Sequence, residues 1–91
     1  VRLEWDEAKR RENLRKHGID FVGAEGLFTG LTVTIEDDRF DYGERRFVTF
    51  GVLDRRIVAV THTERKRAIR IISIRKATRR EEQSYLSAIS E

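Results

Sequence analysis

The residues best suited to chemistry lie in one arginine-rich segment. It opens with Thr63-Glu64-Arg65-Lys66-Arg67 and closes with Arg75-Lys76-Ala77-Thr78-Arg79-Arg80. Between residues 65 and 80 there are eight basic residues and no acid, while the rest of the chain carries eleven basic and sixteen acidic residues. The net charge of +3 therefore hides a strongly positive patch on an otherwise acidic protein. Fifteen of the nineteen basic residues are arginine, whose planar fork matches phosphate oxygens bidentately. A polyanion or an acidic protein is the partner such a surface fits.

Within that segment, Ala68 to Arg75 reads as a strand. Simple alternation puts Ile69, Ile71, Ser73 and Arg75 on one face and Arg70, Ile72, Ile74 and Lys76 on the other. Ser73 and Arg75 then reach the strand end beside the N-terminus of a helix that begins near Arg79 and Arg80, where backbone donors add positive potential. Phosphate binding is the chemistry this predicts.

RNA cleavage without a metal needs few further parts. A 2′-oxygen must lose a proton, cations must offset charge on the phosphoryl oxygens, and an acid must protonate the leaving 5′-oxygen. Groups able to move a proton are His17, Glu4, Glu64, Glu81, Tyr85, Lys16 and Lys76. His17 ends a predicted helix, where the dipole favours an imidazolium; a capping role there is the alternative. His62 lies on a strand with Val58 and Val60 and reads as a partly buried, hydrogen-bonded residue. Trp5 reads as core, and Tyr85 suits either the core or a base-stacking surface. The turn Glu36-Asp37-Asp38 lacks a calcium-loop pattern.

The elements that must position these groups follow from local signals. An opening strand spans Val1 to Glu4. Asp6 caps a helix running to about His17, which Gly18 ends in the left-handed region, leaving Ile19 to fold back toward Leu14. Asp20 caps a second helix through about Phe28, weakened by Gly23 and Gly26. Strands follow at Leu31 to Ile35, Arg46 to Leu53, Ile57 to Thr63 and Ala68 to Arg75, with a tight turn at Asp54-Arg55. Isoleucines on both faces place the last strand inside the sheet. Thr78 with Glu81 forms a capping box for a final helix reaching about Ile89. The expected fold is α+β: a single small domain over residues 1–91, an antiparallel sheet with two N-terminal helices and one C-terminal helix.

Other classes are excluded by length and composition. Ninety-one residues leave no room for a cofactor domain beside a substrate domain. The absence of cysteine removes disulfides, thiolate metal sites and thiol nucleophiles, and two histidines are too few for a histidine-rich metal site. No metal and no cofactor are expected. No apolar run approaches membrane-spanning length and no signal pattern opens the sequence, so no membrane association and a cytoplasmic location are expected.

Three blocks together resemble the BrnT family of toxins. The first is Glu4-Trp5-Asp6-Glu7-Ala8-Lys9 with Asn13-Leu14-Arg15-Lys16-His17-Gly18-Ile19-Asp20-Phe21 and Ala24. The second is Asp38-Arg39, Asp41-Tyr42-Gly43-Glu44 and Arg46-Phe47. The third is Thr63-Glu64-Arg65, Arg70-Ile71-Ile72-Ser73, Arg75-Lys76-Ala77 and Glu81. The chain departs from the pattern at Ile74, where the family commonly has alanine. The resemblance implies a RelE-like ribonuclease fold and the toxin half of a type II toxin–antitoxin pair. It also implies metal-independent RNA cleavage that stops translation, a BrnA-like antitoxin, and operator DNA bound only through the antitoxin complex. The catalytic set carried over is His17, Arg65, Ser73, Arg75 and Lys76, with His17 for proton transfer, Ser73 to orient phosphate and the cations to hold it. Arg67, Arg70, Arg79, Arg80 and Tyr85 are the expected RNA-binding residues. Because alternation separates Arg70 from Arg75, both reach one phosphate only if the strand bends or ends between them; Arg75 with Ser73 is preferred at the phosphate, and pairing with an acid is the alternative role for Arg70. The antitoxin is expected to cover part of residues 65 to 80. A non-catalytic basic binding module, and a degenerate toxin acting as operon co-repressor, are the competing readings.

Overall fold

A computed structural model describes residues 2–90; Val1, expected in the opening strand, lies outside the described residues. The elements are β1 (Arg2–Trp5), α1 (Glu7–His17), α2 (Glu25–Phe28), β2 (Val33–Asp37), β3 (Arg46–Leu53), β4 (Arg56–Arg65), β5 (Ala68–Lys76) and α3 (Arg79–Ile89). They form one five-stranded sheet in the order β1-β5-β4-β3-β2. The α+β class is as expected.

Local chemistry accounts for most element ends. Asp6 accepts from Lys9 N at 3.1 Å and starts α1. Gly18, at φ +71°, ends it by donating to the Leu14 carbonyl. The β3–β4 hairpin turns on Asp54 and Arg55, both at positive φ, the geometry that matches strand twist in a two-residue connection. Thr78 and Glu81 form the expected capping box of α3.

Two expectations change. The sheet is mixed rather than antiparallel, because β1 runs parallel to β5, with Glu4 opposite Arg70 and Trp5 opposite Ile71. Alternation along a short strand carries no information on the direction of a partner more than sixty residues away. The second helix is only one turn. Asp20 accepts from Val22 N, two residues on, and so closes an Asx turn instead of capping a helix. Gly23 at φ +94° interrupts the helical path, and only Glu25–Phe28 is helical.

The sheet has two unlike faces. One carries Val58, Val60, Ile71 and Ile74 and is sealed by Ile19, Phe21, Ala24 and Leu27, with Trp5 and Phe28 packed alongside. The approach is close: a Cβ on Gly51 would sit 2.8 Å from Leu27 Cγ. The other face carries Phe50 and Ala59 under Ala77 and Tyr85, flanked by Val33, Val48, Ile57 and Ile89. That second core lies under α3 and covers one end of the face. No described helix is long and apolar enough to cross a membrane.

The helix α1 is held differently. Its only buried residue is Asn13. Asn13 Nδ2 donates to the Ile19 and Ile74 carbonyls at 3.0 and 2.9 Å, and its Oδ1 accepts from Ile74 N at 3.0 Å. β1 registers with β5 only as far as Ile71. Beyond that point Asn13 supplies the hydrogen bonds that a longer strand would have made.

Candidate functional site

The register of β4 and β5 decides which charged residues meet. Thr63 pairs with Arg70, Thr61 with Ser73 and Ala59 with Arg75, but His62 pairs with Ile71. β5 thus holds one extra residue, Ile72, at a bulge. Paired residues share a face, so Arg70, Ser73 and Arg75 all lie on the α3 side. The strand does bend between Arg70 and Arg75, and simple alternation, which separated them, does not hold across the bulge.

On that face the expected preference is reversed: among the described residues it is Arg75, engaged by α3, and not Arg70, that pairs with an acid. Arg75 donates to both Glu81 carboxylate oxygens, at 2.8 and 3.0 Å. Glu81 also accepts from Thr78 N. Arg75 first, with desolvation opposing and the Thr78 amide assisting, holds the Glu81 carboxyl down at about 2. Opposite them, Arg39 grips Asp37 through two side-chain bonds and Tyr42 donates its hydroxyl to the same carboxylate. Arg39 is the main cause of an Asp37 pKa lowered to about 2. Asp37, Arg39, Arg75 and Glu81 line a cleft of about 250 Å³ floored by Ile35, Val48 and Phe50. Asp37 and Glu81 are ionised and poorly basic, so neither suits a general base; Glu36, bonded by Arg45, and Asp38 also line the cleft.

Beyond the reach of α3, the face is polar. Arg46 and Thr63 stand one step past the Phe47–His62 pair, and Thr63 is 3% exposed. Neither Arg46 Nε nor Thr63 Oγ1 has a hydrogen-bond partner. The Arg46 guanidinium lies 4.1 Å from the Tyr42 ring centroid, and its nearest carboxylate, Glu44, is 3.8 Å away.

The remaining predicted residues fall elsewhere. Lys16 and His17 line a shallow hollow with Asn13, Ile72 and Ser73 at the β5 edge. Arg65 and Arg67 are exposed at the β4–β5 hairpin, and Arg79 and Arg80 on the first turn of α3. Lys76 pairs with Val58 and so belongs to the opposite face. Tyr85 is 3% exposed and gives its hydroxyl to the Leu31 carbonyl at 2.7 Å; it is a core residue with no ring face for a base. His62 is hydrogen-bonded as expected, through Nε2 to Thr49 Oγ1 at 2.7 Å, but is fully rather than partly buried, and burial pushes its pKa down.

The family model described as "Ribonuclease toxin, BrnT, of type II toxin-antitoxin system" matches residues 5–81. The chain belongs to the BrnT family. The matched span runs from Trp5 to Glu81 and so takes in the bulge, the cleft and the arginine-rich segment. Membership makes it a ribonuclease toxin of the type II class and implies an antitoxin partner. A search of curated proteins finds no match to the chain.

Arg46, Thr63 and Arg39 escaped the sequence reading of the site. The signal for Arg46 was present: it alternates with Val48 and Phe50, so an arginine occupies a position facing the same side as core residues. Thr63 stood at the start of the arginine-rich segment, but nothing local marked its burial, which comes from its neighbours on β3 and β5.

Proposed function

We propose that this chain cleaves RNA without a metal ion, that cleavage halts translation in the cytoplasm, and that a BrnA-like antitoxin neutralises it. The fold is then a RelE-like one, and operator DNA is met only through the antitoxin complex. The observation that carries this reading is the bulge at Ile72, because it sets Arg70, Ser73 and Arg75 on one face of the sheet. Arg70 and Arg65 hold the scissile phosphate and offset charge on its oxygens. Ser73 orients it, and His17, sharing the hollow with Ser73, moves the proton. Arg75, paired with Glu81, shapes the neighbouring wall as a neutralised ion pair. Lys76, placed on the other face, acts at most through long-range charge. Arg67, Arg79 and Arg80 guide the strand inward.

Two features of the site favour a second reading, a basic binding surface without chemistry: Asp37 and Glu81, two of the carboxylates lining the cleft, are both locked by arginine. One experiment separates them. The toxin, freed of antitoxin, is incubated with RNA in EDTA, and cleavage is expected. Cleavage lost in chelator and restored by magnesium would overturn the metal-free mechanism. Intact RNA, both free and ribosome-bound, would establish the binding module instead.

A further inference from the structure

We propose that Arg46, Thr63 and Arg70 form a clamp for an RNA phosphodiester, set apart from the Arg75–Glu81 pair. The choice of ligand rests on the ribonuclease reading; the existence of an anion site rests on the geometry. Thr63 Oγ1 is buried without a hydrogen-bond partner, and so is Arg46 Nε beside it. Buried polar atoms are ordinarily paired, and each one left unpaired destabilises the fold. Here two of them lie together on the open end of one face.

The surrounding charges point to an anion. Arg70 pairs in register with Thr63 and forms no ion pair among the described residues. Glu4, opposite Arg70 on β1, contacts Arg2 at 3.4 Å. Asp37, opposite Arg46 on β2, is taken by Arg39 and Tyr42. Two arginines without hydrogen-bonded acids thus flank a free hydroxyl, on strands spaced about 4.8 Å apart. Their side chains are long enough to converge above Thr63. The Tyr42 ring holds the Arg46 guanidinium from one side, which reduces the entropy lost on binding. A phosphodiester oxygen accepting from Thr63 Oγ1 and from both guanidinia would satisfy the two orphan atoms of this face at once. Arg75 cannot do this, since Glu81 already occupies its fork.

The test uses an uncleavable 2′-O-methyl oligoribonucleotide and the full-length protein. Affinity is read by fluorescence anisotropy across a salt series, beside the melting temperature of each variant. Thr63→Val keeps the shape and removes the unpaired hydroxyl. It is expected to raise the melting temperature and to weaken binding about tenfold, the worth of one charge-assisted hydrogen bond. Thr63→Ser should restore binding. Arg46→Gln and Arg70→Gln should each flatten the dependence of log affinity on log salt by about 0.7, and Arg11→Gln, on exposed α1, should not.

The clamp is overturned if Thr63→Val binds like the parent or melts lower, or if the two arginine variants keep the parent's salt slope. Variants that lose affinity for the antitoxin but not for the oligonucleotide would also overturn it, and would assign the row to a protein partner. Cleavage of unmodified RNA by the parent is measured separately. A parent that clamps but does not cleave sinks only the catalytic reading, whereas clamp variants that cleave like the parent sink the clamp and the role given to Arg70 and leave cleavage itself standing.

Discussion

Asn13 and Thr63 are almost equally buried, at 5% and 3% exposure, and they lie at different sides of the same sheet. Asn13 makes three hydrogen bonds and ties α1 to the edge of β5. Thr63 makes none through its hydroxyl. The first is what a polar residue kept for stability looks like: every donor and acceptor it faces is answered within the chain. The second carries a cost that the folded chain alone does not offset. The same contrast separates arginines. Arg10 is held by Glu7 and by Asp20, and Arg75 by Glu81, but Arg46 and Arg70 have no carboxylate within hydrogen-bonding distance among the described residues. Asn13 and Arg10 are answered on the helix-sealed side and Arg46 and Thr63 are not answered beyond α3, although His62 Nδ1 is also unpartnered on the sealed side.

The largest expected effect lies on the closed side. Asn13→Ala orphans the Ile74 amide and two carbonyls together. It should cost on the order of 3 kcal/mol and lower the melting temperature by roughly 12–24 °C for a domain of this size. A thermal scan in which Asn13→Ala melts within a few degrees of the parent would erase the contrast with Thr63→Val, for which a gain is expected.

A second, smaller effect concerns pH. His62 is buried and neutral, with its pKa lowered by desolvation. The unfolded chain therefore binds this proton at a higher pH than the folded one. Stability from the neutral form is full above the ordinary histidine value, near 6.5, and is lost as pH falls toward the lowered one. His62→Gln should flatten this part of the stability profile, measured by denaturant titration between about pH 5 and pH 7.5. An unchanged slope would place the acid sensitivity elsewhere.

The smallest effect tests whether stability and site separate within the α3 side. Thr78→Ala removes the side-chain half of the capping box and should cost about 1 kcal/mol. Oligonucleotide binding at low temperature should stay at the parent's level, because the clamp proposed at Arg46, Thr63 and Arg70 does not involve α3. Binding that falls with the cap would mean that α3 positions the open end of the face as well as the covered one.

Much of this was legible in the residues because it is local. Caps bond three positions away, so Asp6, Thr78 and Glu81 announced their helices, and a two-residue turn at Asp54-Arg55 announced its hairpin. The eight basic residues between 65 and 80 declared a positive surface without any knowledge of the fold. Other features were decided only by tertiary structure. The parallel pairing of β1, the bulge at Ile72 and the burial of Tyr85 each depend on partners distant in sequence, and local alternation is blind to them. So are the orphan atoms of Arg46 and Thr63: a hydroxyl or a guanidinium is unpaired only with respect to everything packed around it. Sequence by itself determined which charges the protein carries and where its helices and hairpins begin. The packing of β3, β4 and β5 determined which of those charges were left without an answer.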